Sequence, residues 1–334
     1  MEKTMKVILT RGDRPECVHD IHVAVCTAEG QLTQEWGDPH YETYWRSGAK
    51  PFQVLPLLLE QGEKVFHLLP QDIAVMSASH SGEAAHVAQV RSILEKIGCS
   101  EKDLECGPMV PLNHRAAKEL QEQGIPATEI YNTCSGKHAA MLALAKLLKI
   151  ETTGYSQPDH PVQIAMKEGI ARSTDLPPAY IPTGVDGCGV PVFWLALSSM
   201  ARAYGKLANP EKAHLSDEMT DALTKIRDSM GTHPFLVAGT HRIETLMMEK
   251  AAGRLVAKSG TDGIFCISHL PTSEGLVLKV ADGAARALAP AALELSRELG
   301  WLTLTEYQEL WHEVIHPLKN CRNEIIGNFE VSFS

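Results

Sequence analysis

The sequence predicts an α+β fold: an antiparallel sheet flanked by helices, with a large, mostly helical region inserted between two strand-bearing ends. Three observations lead there. Short β-branched, apolar runs open the chain at 5–10, 21–27 and 31–36. Similar runs return at 255–258, 263–268 and 276–281. Between them lie segments with helical periodicity and helix-start signals. Strands from both ends can share one sheet, with C-terminal helices on one face and the helical middle beside it. The expected organisation is therefore 1–46 and 235–334 as the sheet-containing region and 47–234 as the helical region. Together they form one structural unit, with the functional site at the seam.

Length and composition narrow the function classes. The chain has 334 residues, 44% hydrophobic and 22% charged, which reads as soluble and globular. Thirty-one Lys and Arg against 41 Asp and Glu give a formal charge of −10, which argues against a nucleic-acid partner. No apolar run reaches membrane-spanning length. The stretch 1–14 shows no signal-peptide core, so a cytoplasmic location is expected. The eight cysteines, at 17, 26, 99, 106, 134, 188, 266 and 321, then read as reduced thiols and not as a disulfide framework.

The elements follow in order. Strand 21–27 turns at Glu29-Gly30 into 31–36, and Gly37-Asp38-Pro39 ends the hairpin. The apolar run Phe52 to Leu59 reads as a buried helix, with Pro51 in its first turn and Pro56 kinking it. Asp72 to Ser79 is a short apolar segment. A helix then runs to about Ile97, capped by Ser79 or Ser81. Helices are expected at 114–123, 139–148 and from Pro161 through Arg172. A glycine-dense turn at 184–189 precedes a helix at 192–204. Further helices are expected at 216–230, 242–252, 284–299 and 305–316.

The chemistry centres on Ser47-Gly48-Ala49-Lys50. Residues three apart share one face of a helical turn, so Ser47 and Lys50 can touch. A serine hydroxyl needs an adjacent base, and a lysine serves when burial lowers its pKa. Lys258-Ser259-Gly260 ends a predicted strand. Serine acyl-transfer enzymes pair an early Ser-x-x-Lys with a late Lys-Thr-Gly, and this pairing has the same form. Cys134 and Lys137 lie at a predicted helix start, where a thiolate is favoured. Cys188 lies in the second glycine-rich turn. Two cysteines on turns can bind zinc, although this is not a zinc-finger spacing, and two small buried cysteines are the plainer reading. His80, His86 and His138 are ligands, bases or hydrogen-bonded helix-start residues. Glu83 favours a helix dipole, and Asp186 orients a neighbour or makes its turn.

Five blocks then stand together: Arg46-Ser47-x-x-Lys50-Pro51-Phe52-Gln53, Ala78-Ser79-His80-Ser81-Gly82-Glu83, Asn132-x-Cys134-Ser135-Gly136-Lys137-His138, Asp186-Gly187-Cys188-Gly189-x-Pro191 and Lys258-Ser259-Gly260. In this order they resemble the rhizobial-type L-asparaginase II family over almost the whole chain. The resemblance implies a serine β-lactamase/glutaminase-like fold, a homodimer, and hydrolysis of L-asparagine to L-aspartate and ammonia. It implies two Ser–Lys pairs, Ser47 with Lys50 and Ser79 with Lys258. It also implies zinc on Cys134, Lys137 and Cys188, with His138 and Asp186 around it. Arg46 or Lys258 is the candidate for the substrate α-carboxylate. Glu16-Cys17-Val18-His19-Asp20 and Ser77 depart from the pattern expected of the family, at the edge of the pocket. Other readings are a β-lactam- or peptide-directed acyl hydrolase, a hydrolase centred on the cysteines or zinc, and a non-catalytic binder of small amino acids.

Overall fold

The structure, a computed structural model, describes residues 3–334. The first two residues of the segment 1–46 lie outside the described residues. Alternating burial marks the opening strand β1 (Met5–Arg11), as expected of a sheet wetted on one side. The strand β2 (Arg14–Thr27) is long enough to pair with β1 through its first half and β3 (Leu32–Trp36) through its second. The short strands β4 (Glu42–Tyr44), β5 (Thr183–Val185) and β6 (Pro191–Ala196) form a separate sheet in the order β4-β6-β5. Strands β7 (Leu255–Gly260), β8 (Ile264–His269) and β9 (Glu274–Val280) are almost wholly buried. The strands β10 (Leu318–Lys319) and β11 (Ile325–Gly327) pair with each other, and β12 (Phe329–Phe333) pairs with β1.

The main sheet runs β12-β1-β2-β9-β8-β7, with β3 also on β2, and every pairing is antiparallel. Among the described residues it draws only on 5–36 and 255–333. The fold class is thus α+β, with one antiparallel sheet built from both ends of the chain.

The helices are α1 (Lys50–Leu59), α2 (Gly62–Val65), α3 (Pro70–Met76), α4 (Ala84–Lys96), α5 (His114–Glu122), α6 (Ser135–Leu148), α7 (Pro161–Thr174), α8 (Leu197–Ala208), α9 (Asp217–Thr232), α10 (Pro234–Val237), α11 (Ile243–Ala251), α12 (Leu288–Glu298) and α13 (Leu304–Val314). Helix α8 packs on β2, β8 and β9, and α12 packs on β1, β8 and β12. Helix α1 is buried against α6, α7 and α9. Pro56 lies inside it and cannot donate a backbone hydrogen bond. The Pro56 ring and the Phe52 carbonyl sit directly under Gly169 of α7, where a Cβ would come within 3.0 Å of the carbonyl. Among the described residues, no helix is long and apolar enough to cross a membrane.

Two local expectations change, and the short apolar segment 72–79, to which the sequence assigned no element, is settled. The stretch from Val192 begins as strand β6, and the helix starts only at Leu197. Aromatic and β-branched residues accept either state, and here two partner strands decide it. The segment from Asp72 is helical, with the Asp72 carboxylate accepting the Leu69 N–H at 2.7 Å. Helix α4 is preceded by Glu83, with neither Ser79 nor Ser81 as its cap. Ser81 donates to Ala238 O at 2.7 Å, and Ser79 is engaged elsewhere.

Candidate active site

A tight 3-10 turn, Arg46–Ala49, leads straight into α1. Arg46 takes a left-handed conformation there, at φ 51°. The turn is pinned from below. Trp45 and Phe52 stack at 5.1 Å, and the Tyr204 hydroxyl donates to Gly48 O at 2.8 Å.

Lys50 is fully buried beneath this turn. Its Nζ lies 2.6 Å from Ala78 O, 3.2 Å from Thr133 O and 3.0 Å from Ser79 Oγ. Lys258, also fully buried, reaches in from the edge strand β7. Its Nζ lies 2.8 Å from Ser79 Oγ and 2.7 Å from Ser259 O. One serine oxygen therefore bridges two buried amines. Burial lowers the pKa of both lysines, and the neighbouring Lys50 charge helps push Lys258 down to about 7. Lys50 Nζ donates to the two carbonyls and to Ser79 Oγ, and Lys258 Nζ donates to the same serine oxygen.

Ser47 lines an open cavity of about 200 Å³ together with Arg46, Thr133, Cys134, Asp186 and Cys188. Among the described residues, no hydrogen bond joins its hydroxyl to Lys50, whose bonds go to Ser79 and the two carbonyls. Arg46 Nε donates to Asp186 at 3.0 Å, and its Nη1 meets Asp262. Burial works against the Asp186 charge, yet Lys137 and Arg46 hold its pKa below the usual value. His138 is fully buried outside this cavity, with Nδ1 2.7 Å from the Tyr155 hydroxyl. Its Nε2 has no partner among the described residues, and burial holds its pKa well below the usual histidine range.

The two glycine-rich turns meet at the sulfurs. Helix α6 begins just after Cys134, whose N–H donates to Asn132 Oδ1 at 2.9 Å. The next turn lies so close to α3 that a Cβ at Gly136 would come 2.1 Å from Val75 O. Interaction with the Cys188 thiol, with Lys50 and Lys137 nearby, holds Cys134 well below the ordinary thiol range. The same interaction pushes Cys188 up. Lys137 Nζ lies 3.2 Å from Cys188 Sγ. Burial disfavours its charge, but the sulfurs and Asp186 outweigh that and raise its pKa. Among the described residues, no three His, Cys, Asp or Glu side chains converge as metal ligands. Cys134 and Cys188 line one cavity wall, with Lys137 Nζ against the Cys188 sulfur, and these are the residue types that could hold a soft cation such as zinc.

The sequence pattern of L-asparaginase II matches residues 7–331. The chain belongs to the L-asparaginase II family. Membership makes it an asparaginase-type amidohydrolase that acts on a small molecule. A β-lactamase from Mycobacterium bovis is similar at 12% identity and a TM-score of 0.37, over 82% of this asparaginase-family chain and 94% of its own. An octameric penicillin-binding protein homologue from Pyrococcus abyssi is similar at 11% identity and a TM-score of 0.39, over 84% and 73%. No curated protein matches the chain.

Several residues of this asparaginase-family site were missed by sequence reasoning. Glu244 and Arg242 stand behind Lys258, Asp262 holds Arg46, and the Thr133 carbonyl holds Lys50. Thr133 lies inside a quoted block and could have been noticed there. Glu244 sits on an ordinary helix with no local signal.

Proposed function

We propose that this protein is an L-asparaginase that hydrolyses L-asparagine to L-aspartate and ammonia through Ser47. The observation that carries the reading is Ser79 Oγ, held between the buried Lys50 and Lys258 beside the cavity that contains Ser47. Amide hydrolysis needs a nucleophile, an acceptor for its proton and a donor for the leaving nitrogen. Ser47 Oγ attacks the side-chain amide carbon, and Lys50 takes the proton. Ser79 links Lys50 to Lys258, so the proton can pass between them and return to the amide nitrogen, which leaves as ammonia. Water then attacks the acyl ester, with the same groups acting in reverse. The Ser47 backbone N–H is the candidate donor to the oxyanion.

On the same cavity wall, Arg46 is the candidate partner for the α-carboxylate, and Asp186 complements the α-ammonium. Cys134, Cys188 and Lys137 are the residues that would hold zinc, which when bound supplies a positive anchor for an oxygen of the substrate. The homodimer implied by the family resemblance is kept as the proposed active form.

The test is ammonia release from asparagine, glutamine and simple amides by the wild type, Ser47→Ala and Lys50→Ala. Both variants should fold and lose on the order of 10⁴-fold or more in kcat. Substantial turnover by Ser47→Ala would refute the nucleophile.

A further inference from the structure

Behind Lys258 lies a buried carboxylate that the reaction above leaves unused. Glu244, in the first turn of α11, is fully buried. Its Oε1 accepts from the Ser259 N–H at 3.3 Å, from the Ser259 hydroxyl and from Arg242 at 3.1 Å. Its Oε2 is buried and has no hydrogen-bond partner among the described residues. A buried carboxylate with an unpaired oxygen is costly, so packing alone gives no reason to keep it. Its position does. Ser259, gripped by Glu244 at its N–H and hydroxyl, presents its carbonyl to Lys258 Nζ at 2.7 Å.

We propose that Glu244 is a positioning residue of the site: it holds Ser259 so that the Lys258 amine faces Ser79, and it lends that amine a counter-charge. The charged and titratable groups around Lys258 are Lys50 from α1, Glu244 from α11, Arg242 just before it, and Cys266 on β8. The two cations disfavour its ammonium and Glu244 favours it. Desolvation of the Glu244 carboxylate is offset by Arg242, Lys258 and the Ser259 hydrogen bond, so it stays ionised. Removing this anion shifts Lys258 towards the free amine, and its titration moves to lower pH.

The inference rests on the proposed reaction for its kinetic reading but not for its titration. Glu244→Gln keeps both acceptor contacts to Ser259 and removes the charge. The titration of Lys258, followed by NMR of the ¹³C-lysine-labelled full chain without substrate, should move down by about one pH unit. The rising limb of kcat/KM should move with it, at little change in KM. Ser259→Ala keeps the charge and cuts the grip; kcat should fall by up to about 10²-fold, with the Lys258 titration unmoved. An unmoved titration in Glu244→Gln overturns the counter-charge, and wild-type kcat in Ser259→Ala overturns the positioning link. If Glu244→Gln fails to fold, Ser259→Ala alone decides the link, and Glu244→Asp, which keeps the charge and shortens the reach, decides the charge: its Lys258 must titrate as in the wild type. If the wild type releases no ammonia from asparagine while the titration still moves, the proposed reaction fails and this inference stands.

Discussion

Ser79→Ala separates the two serines. In the wild type, one Ser79 oxygen lies 3.0 Å from Lys50 and 2.8 Å from Lys258. Both amines are placed to donate to this oxygen, which has two lone pairs to accept them. Alanine removes both bonds at once and leaves two buried amines without their bridge. An orphaned buried donor or acceptor costs about 1–3 kcal/mol, so the variant should fold with a lowered Tm. The backbone stays fixed, because the Ser79 N–H donates to Val237 O at 3.0 Å independently of the side chain. Ser47 and the cavity wall are untouched, so KM for asparagine should hold. Losing a positioned proton carrier removes about 10²–10⁴-fold from kcat. The expected order is therefore wild type, then Ser79→Ala, then Ser47→Ala, read by stopped-time ammonia release under saturating asparagine. Mass spectrometry of quenched reactions adds a second readout: an acyl group on Ser47 should persist longer in Ser79→Ala. A Ser79→Ala enzyme with wild-type kcat refutes the relay. Full loss in Ser79→Ala with an active Ser47→Ala would make Ser79 the nucleophile.

Three further outcomes follow from the same geometry. Lys258, pushed down to about 7 by burial and Lys50, must be free amine to accept a proton, so kcat/KM should rise with pH through a limb near 7 and fall below it. Stability has the same sign. The folded pKa lies below the unfolded one, so the unfolded chain binds more protons between them, and the folded state gains stability as pH rises from about 7 towards 10.5. In Lys258→Met this contribution to the pH dependence of Tm should vanish along with activity. Cys188→Ala should abolish zinc binding by metal analysis and raise KM more than it lowers kcat, the mark of lost ground-state binding; full loss of kcat would place the metal in the chemistry instead. Gly136→Ala drives a methyl to 2.1 Å from Val75 O, which forces α6 away from α3; it should cost about 1–3 kcal/mol or more, seen in the urea midpoint, and misplace Cys134.

The sequence by itself determined what depends on local spacing. The two strand-rich ends, the helical middle and the five blocks are all short-range patterns, and the blocks were enough to place the chain in its family. Ser47 and Lys50 are legible because three residues make one turn, and Cys134 and Lys137 because a polar turn opens a helix. The tertiary structure decided what depends on elements distant in sequence. Residues 191–196 became a strand because β4 and β5 lie on either side. Edge strand β12 alternates apolar and polar residues along Phe329-Glu330-Val331-Ser332-Phe333, a strand signal that was legible in the sequence and went unread, whereas its pairing with β1 came only with the tertiary structure. Lys50 turned its hydrogen bonds inward to Ala78, Thr133 and Ser79, whose carbonyls and hydroxyl arrive from segments 28 to 83 residues away. Lys258 met Ser79 across 179 residues, and Glu244 reached Ser259 from a neighbouring helix. The physical reason is that a side chain's charge state and partner follow from burial and from the groups opposite it. Packing of the whole chain supplies both, and no spacing of neighbours records either one.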